Sequence, residues 1–376
     1  ESNENPIQIN IDGEKSITVK FEIDCNLLKY PLVNLKLPSY FTNILYHPKN
    51  ISEILRSYDP LDGGYGYGTE KISIDYNLDG FLDFVSFYND YGIENNRNYI
   101  KFFKGDCNGD MILDEVNSNK FLGMVHGRKI IYGDYNDDDY PDIFLIGHGW
   151  DKSPFPGEYP VMLLSDGNGN YKENRMTDII GFYHGGSSGD YDNDGDLDIV
   201  LVTGTGSQSI LLENDGYGNF TDNTSILPIE NNFLDAKYSS EFFDLNNDGN
   251  LELFLFGGEG YSPTGFIYGN GVDFRGATQA LPGIVGWEMV LDLDFFDIDS
   301  NGTTEIILNR TRPNYQGWKI QIIEIVNDEF VDSTDKFIED YYSENQGWNV
   351  WLDVSDYDND GVIELRNSIN PELNLQ

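Results

Sequence analysis

Short runs of β-branched and aromatic residues alternate with glycine-rich polar turns along most of the chain, and this pattern predicts an all-β fold. Runs such as YPDIFLIG from Tyr140, LDIVLVTG from Leu197 and LELFLFGG from Leu251 have the length of single strands. Between them lies a second signature of strand, glycine-rich turn and strand, as in VMLLSDGNGNYKEN from Val161 and ILLENDGYGNFTDN from Ile210. Asp-Gly and Gly-Asn between such runs are strong hairpin signals. Each repeating unit is therefore predicted to hold four antiparallel strands, named A to D.

An acidic nonapeptide with the pattern Asp-x-(Asp/Asn)-x-(Asp/Asn)-(Gly/Asp)-x-x-(Asp/Glu) lies between predicted strands A and B of each unit. Six copies begin at Asp75, Asp134, Asp190, Asp244, Asp297 and Asp356. Subtraction of these numbers gives spacings of 59, 56, 54, 53 and 59 residues. A near-constant spacing of this size is the sequence signature of a repeat protein.

Each nonapeptide carries the donor set of a calcium loop. Side-chain oxygens at positions 1, 3, 5 and 9, with a backbone carbonyl at position 7, suit a hard cation that takes about six to eight oxygens. Position 6 is glycine in five copies and Asp139 in the second, which favours a turn with positive φ. An EF-hand shares the first six positions but needs a glutamate at position 12 and flanking helices, whereas position 12 here is never glutamate.

The sequence therefore predicts about six bound calcium ions. The expected ligands are Asp75, Asn77, Asp79, Asp83, Asp134, Asn136, Asp138, Asp142, Asp190, Asp192, Asp194, Asp198, Asp244, Asn246, Asp248, Glu252, Asp297, Asp299, Asn301, Glu305, Asp356, Asp358, Asp360 and Glu364. Whether calcium is only structural is left open by the sequence.

Four antiparallel strands in each unit of about 55 residues, repeated along a chain, describe the blades of a β-propeller. On these loops and hairpins the chain resembles the integrin-α-type propellers with FG-GAP and VCBS calcium-binding repeats. The resemblance covers essentially the whole chain. It implies calcium loops between strands A and B, a ligand face on the opposite rim, and adhesion-like recognition.

One β-propeller domain is predicted over residues 1–376, with six calcium-loop repeats in 61–376. Residues 1–60 are interpreted as a calcium-free first blade or a closing segment, because IQINI and SITVKFEI form an alternating hairpin and FTNILYHP and ISEILRS form a second one. Seven blades are favoured. A six-bladed ring, in which the hairpin at 41–55 completes the last blade, is the alternative, since the few residues after Glu364 cannot hold strands B, C and D together.

The chain is strongly acidic, with 65 acidic and 23 basic residues and a formal net charge of −42. Such a charge disfavours binding to nucleic acid and to anionic membrane surfaces, and no apolar run reaches the ~20 residues of a membrane helix. With two cysteines, Cys25 and Cys107, a disulfide framework is not expected, and whether they pair is open. Weak calcium loops fill where calcium is abundant, so the expected location is extracellular or at the cell surface, with a lipid anchor on a removed N-terminus as one route to the surface.

Aromatic residues are frequent in the predicted B-to-C and D-to-A loops, which share the rim opposite the calcium loops. Rings beside Asn, Asp and Arg suit sugars, and loops on a rigid scaffold are common binding surfaces. The candidate ligand-binding residues are Trp150, Tyr183, Tyr261, Tyr315 and Trp318. Trp287 and Trp348 are interpreted instead as structural residues of the blades. The predicted function is a secreted or cell-surface, calcium-stabilised module that binds a glycan or a surface protein.

Catalysis finds little support in the sequence. The four histidines show no zinc-binding spacing, and neither HExxH nor GxSxG occurs. His148 and His184 would fit a lyase acting on acidic polysaccharide if they shared the loop face with Arg310 and Arg312. No catalytic residue is predicted, and a polysaccharide lyase is kept as the alternative function.

Overall fold

The computed structural model describes residues 7–11, 15–19, 69–89, 93–106, 110–204, 209–228, 237–274, 276–339, 341–348, 352–355, 364–367 and 373–374. Within these residues the fold is all-β, as predicted, with antiparallel pairing throughout. Helical structure there is limited to a 3-10 turn at Thr224–Ile226 and a single-turn helix at Thr334–Phe337. None of the helices in the described part of the chain is long and apolar enough to cross a membrane.

The predicted N-terminal hairpin forms, with β1 (Ile7–Ile11) paired to β2 (Lys15–Val19). Five consecutive sheets follow, each an up-and-down meander of four strands. The first is β3 (Thr69–Ile74), β4 (Asp83–Tyr88), β5 (Lys101–Gly105) and β6 (Met111–Leu113). The second is β7 (Gly127–Gly133), β8 (Asp142–Gly147), β9 (Val161–Ser165) and β10 (Tyr171–Arg175). The third is β11 (Tyr183–Gly189), β12 (Asp198–Thr203), β13 (Ile210–Asn214) and β14 (Phe220–Asp222).

The remaining sheets continue the same order. The fourth is β15 (Lys237–Phe243), β16 (Glu252–Gly257), β17 (Gly265–Ile267) and β18 (Thr278–Ala280). The fifth is β19 (Met289–Phe296), β20 (Glu305–Thr311), β21 (Trp318–Val326) and β22 (Glu329–Asp332), with β23 (Tyr342–Ser343) also paired to β21. The sixth is β24 (Leu352–Ser355), β25 (Glu364–Asn367) and β26 (Leu373–Asn374).

The sheets stack face to face in chain order. The first strand of each sheet contacts the first strand of the next, from β3 through β7, β11, β15 and β19 to β24. Every residue of β8, β12 and β16 is buried, because each second strand is covered on both faces. Phe243 and Phe295 illustrate the contact between the fourth and fifth sheets, with parallel rings whose centroids are 4.1 Å apart. This arrangement is that of propeller blades.

The predicted strands are confirmed with one shift of position. The stretch FIYGNGVDFRG has the same strand, glycine-rich turn and strand pattern as the other predicted hairpins, but β18 begins only at Thr278. The Asn270 side chain accepts the backbone N–H groups of Val272 and Asp273 and so forms a turn. Phe274 then enters the core, fully buried, instead of continuing a strand.

The number of blades stays a prediction. The hairpin expected at 41–55 lies outside the described residues, as do Cys25 and Cys107, and the assignment of residues 1–60 is not tested. The sixth sheet supplies two strands after Ser355, which correspond to B and C.

The loops and turns divide between two opposite rims of the sheets, because successive strands run in opposite directions. On one rim the C-to-D turns lie against the acidic loops, since a Cβ at Gly216 would be 2.6 Å from a carboxylate oxygen of Asp196. On the same rim, the amide of Asn193 donates to Asn250 Oδ1 in the next sheet at 3.3 Å. The B-to-C and D-to-A loops form the opposite rim, called here the loop face.

Candidate functional site

The five acidic loops within the described residues share one backbone geometry. In each loop the first aspartate accepts the N–H of position 5 on Oδ1 and the N–H of position 6 on Oδ2, at 2.8–3.1 Å. Position 6 has positive φ as predicted, including Asp139 at 65°. Position 4 is also left-handed in all five, for example Asn193 at 61°, which the sequence pattern did not indicate. Asp356, Asp358 and Asp360 of the sixth loop lie outside the described residues, and the side chain of Glu364 is not described.

The carboxylate at position 9 links each loop to the body of the sheet. Asp142 accepts the backbone N–H of Tyr135 on Oδ2 at 2.8 Å and that of Ser165, at the end of strand C, on Oδ1 at 2.6 Å. Asp83 makes the corresponding pair of bonds, to Tyr76 N and Gly105 N. These carboxylates therefore hold the loop, strand B and strand C together.

Burial makes the ionised form of the position-9 carboxyl groups unfavourable in the ion-free loops. It raises the pKa of Asp83, Asp142 and Asp198 to about 8 and the pKa of Glu252 and Glu305 to about 7. The neighbouring loop aspartates add to this effect through charge repulsion. A bound cation would reverse both contributions.

The donor atoms fit a hard divalent cation. Carboxylate oxygens of Asp190, Asp192 and Asp194 lie within 4.8 Å of one another, and those of Asp297, Asp299 and Glu305 do the same. Buried oxygens of Asp198 (Oδ2) and Glu252 (Oε1) have no hydrogen-bond donor in suitable geometry within the described structure. Buried oxygens are rarely left without a partner, and an all-oxygen donor set suits calcium.

The fifth loop differs from the others in its surroundings. The ammonium group of Lys336 donates to Asp299 Oδ2 at 2.9 Å and to Glu324 at 2.5 Å. A cation in this loop would therefore share one of its carboxylates with a lysine.

The structure separates the five predicted ligand-binding rings into two groups. Tyr261 and Tyr315 are exposed on the loop face, at 72% and 41%. Trp150 is half-buried there, with the Lys152 ammonium group 4.6 Å from its ring centroid.

The expectation that Tyr183 and Trp318 are exposed is wrong, because both are buried, at 3% and 2% exposure. Trp318 begins β21, belongs to the buried cluster between the fifth and sixth sheets, and donates its indole N–H to Gln346 at 2.7 Å. Tyr183 begins β11 and belongs to the cluster between the second and third sheets. Glycine-rich surroundings indicated loops, but each ring belongs to the first residue of a strand and is covered by the neighbouring sheet.

A continuous row of rings runs along the loop face from the second sheet to the sixth, and it is called here the aromatic track. Its members are Phe155, Phe182, His184, Tyr238, Tyr315 and Trp348. Successive ring centroids are 5.1–5.7 Å apart, and Tyr238 and Tyr315 are joined by a hydroxyl-to-hydroxyl bond of 2.8 Å. Tyr238 was not predicted from the sequence, since its only signal is its place at the start of a strand A, and Trp348, interpreted there as a structural blade residue, also belongs to the track.

Charged and imidazole groups border the track. His148 and His184 are brought together on the loop face, with centroids 5.1 Å apart. Burial, together with smaller contributions from His126 and the exposed Arg128 guanidinium, lowers the pKa of His148 to about 2 and that of His184 to about 3. Arg312 lies on this face, over the Trp287 ring at 4.8 Å.

Arg310, expected on the same face, is instead fully buried. Its guanidinium donates to both carboxylate oxygens of Glu259 at 2.9 and 3.0 Å. It also donates to the Gln321 side chain and to the carbonyls of Trp287 and Pro282. Every N–H direction of the side chain is satisfied internally, so Arg310 has a structural role.

Comparison with known proteins agrees with the loops and sheets. Residues 190–255 match the model of the FG-GAP-like repeat family, a stretch from the third acidic loop into β16. The chain is a β-propeller, and residues 190–255 carry an FG-GAP-like repeat. The matched stretch contains two of the nonapeptides, and the loops of the first, second and fifth sheets repeat the same geometry.

Several solved structures are similar to the propeller at low sequence identity. They include the V. cholerae biofilm matrix protein Bap1 (17% identity, 77% of this chain and 41% of that one, TM-score 0.40) and the Dos1 propeller (6%, 81% and 71%, TM-score 0.43). The exotype rhamnogalacturonan lyase YesX is a third (12%, 80% and 62%, TM-score 0.38). The chain spans less than half the length of Bap1. No curated protein matches the chain as a relative.

Proposed function

We propose that this FG-GAP-like propeller is an extracellular or cell-surface binding module that presents the aromatic track to a glycan. The observation that carries the proposal is the row of rings itself, partly exposed and continuous across consecutive sheets. Monosaccharide rings have apolar CH faces that pack on aromatic side chains, and their hydroxyl edges need hydrogen-bond partners. Arg128 and Arg312 stand beside the rings and are suited to supply such donors.

The scaffold suits recognition of an extended ligand. The ring-bearing loops are held by sheets whose central strands are completely buried, so the rings keep their spacing without a bound ligand. Preorganisation of this kind reduces the entropy lost on binding. Tyr261 lies close enough to Tyr238 to affect its pKa, which places a further exposed ring beside the track.

Calcium is proposed as the resident ion of the opposite rim. The all-oxygen loops and the raised pKa values of the position-9 carboxyl groups support it. Six ions would add +12 to a formal charge of −42 and leave about −30. Extracellular calcium sites have affinities that match the millimolar calcium found outside cells, which supports an extracellular location.

A panel of polysaccharides and oligosaccharides, screened in millimolar calcium and again with chelator, tests the proposal. Replacing Tyr315 or Tyr261 by alanine removes a stacking surface whose burial stabilises a complex by about 1.5 kcal/mol, so binding is expected to weaken about tenfold. Tyr217→Ala is the matched control, because Tyr217 is 76% exposed but lies in a C-to-D turn on the calcium rim. Equal losses in all three variants, or binding to surface proteins and to no glycan, would refute the glycan assignment.

A polysaccharide lyase is the second candidate, favoured by one observation. His148, His184 and Tyr238 converge near Arg128, and a lyase needs a base beside a cation that neutralises a uronate. The low pKa of His184, caused by burial, makes it a weak base at neutral pH, which is why binding is proposed first. The test is to incubate the protein with uronate polymers and measure the ultraviolet absorption of unsaturated products. Product formation that is lost in His184→Ala would establish the lyase instead.

A further inference from the structure

Two histidines and an aspartate meet at the edge of the loop face in the second sheet. His126 immediately precedes β7, His148 immediately follows β8, and Asp151 lies in the loop after it. One ligand atom from each residue lies within 4.8 Å of the other two. The two imidazole rings are 4.0 Å apart between centroids.

The environment of His148 fixes which of its ring nitrogens carries the proton. Its Nδ1 lies 3.0 Å from the carbonyl oxygen of Gly149, so Nδ1 carries the proton and Nε2 keeps its lone pair. Metal-bound histidines usually donate their second N–H to a carbonyl or carboxylate in this way. The position of Gly149 is fixed by packing, since its φ is +73° and a Cβ there would meet the Gly157 carbonyl oxygen at 2.3 Å.

We propose that His126, His148 and Asp151 form a binding site for one divalent transition-metal ion, with zinc as the ion that best suits the donor set. Imidazole nitrogens select zinc and its neighbours, whereas carboxylate and carbonyl oxygens alone select calcium. The chain then carries two chemically different classes of metal site on opposite rims. The site could not be predicted from the sequence, because these residues are separated along the chain and meet only through the pairing of β7 with β8.

Charge and access are compatible with such an ion. The exposed Arg128 disfavours a cation, and the Asp151 carboxylate offsets that charge. Ligand atoms of one tetrahedral zinc ion lie about 3.4 Å apart, whereas these three lie within 4.8 Å of one another, so the side chains would close on the ion as it binds.

The site would have one open position. Zinc with three protein ligands keeps a fourth for water or an external oxygen. His148 stacks on Phe182 of the aromatic track, with centroids 4.2 Å apart, so an ion at this position would stand beside any molecule bound on the track.

Titration of the chelator-treated, calcium-reloaded protein with Zn²⁺ by calorimetry, and with Co²⁺ by visible absorption, tests the proposal. One equivalent is expected to bind with Kd below about 10 µM in millimolar calcium. His126→Gln and Asp151→Asn are each expected to weaken it at least tenfold. Asp151→Asn is an exposed, isosteric change, so its result does not depend on a disturbed fold.

His184→Gln and Asp178→Asn are the matched controls, one a neighbouring imidazole and the other an exposed aspartate in the loop after β10. Both are expected to bind zinc like the unaltered protein. The assignment would be overturned if the folded protein bound no zinc or if calcium displaced the zinc. Unchanged zinc binding in both Asp151→Asn and His126→Gln would also overturn it. None of these results depends on a glycan, so the proposed function is judged separately.

Discussion

The buried ion pair between Arg310 and Glu259 allows a quantitative test of what holds the loop face in place. Glu259→Gln keeps the size and shape of the side chain but removes its charge. The guanidinium of Arg310, which is 0% exposed, then keeps its hydrogen bonds to Gln321 and to two carbonyls but loses its counter-charge.

Loss of one partner of a buried pair typically costs about 3–5 kcal/mol, because the remaining charge is left uncompensated. Glu259 retains 11% exposure of its side chain, so water can partly solvate the site, and the lower end of that range, about 3 kcal/mol, is expected. Glu344→Gln breaks the pair of Glu344 with Arg312, whose side chains are 56% and 31% exposed. That change is expected to cost under about 1 kcal/mol.

Urea unfolding in saturating calcium, followed by circular dichroism and tryptophan fluorescence, compares the two variants. Coincident transitions for the two probes are needed before free energies are read from them. A loss below about 1 kcal/mol in Glu259→Gln, or equal losses in both variants, would refute the argument that burial decides the contribution of each pair.

Three further outcomes are expected. Chelation of calcium is expected to lower the melting temperature more at about pH 9 than at about pH 6. The folded-state pKa of Asp198 is raised to about 8, so the stability that its protonated form contributes is lost as the pH rises to that folded-state pKa. A larger loss at about pH 6 in chelator would contradict the assignment. Gly216→Ala is expected to destabilise the protein by roughly 1–3 kcal/mol in thermal unfolding, since φ is +75° and the new Cβ would meet the Asp196 carboxylate. Lys336→Met is expected to raise the calcium affinity of the fifth loop, as it frees Asp299, and an unchanged set of affinities in calorimetry would show that the lysine does not compete.

Local features of this propeller could be predicted from the sequence, because the side chains that define them are adjacent. In each acidic loop the first aspartate accepts hydrogen bonds from backbone N–H groups of the same loop, as Asp190 does from Asp194 and Gly195. The second strands were equally clear, since complete burial gives an uninterrupted apolar run.

Features that depend on contacts between sheets could not be predicted. Trp318 and Arg310 stand in polar, glycine-rich or proline-rich stretches, yet the neighbouring elements bury both. Tyr238 and His184 belong to different sheets, and their rings meet only because the first strands of consecutive sheets pack side by side. The sequence shows which residues are available but not which of them meet.

In the first three loops the position-9 carboxylate accepts a backbone N–H from strand C, which allows these loops to be observed one at a time. Gly105, Ser165 and Asn214 each donate a backbone N–H to Asp83, Asp142 or Asp198. An ion that fixes the carboxylate also fixes the acceptor of that single amide. The three amides are therefore built-in probes, whose hydrogen-exchange rates report separately whether the first, second or third loop is filled.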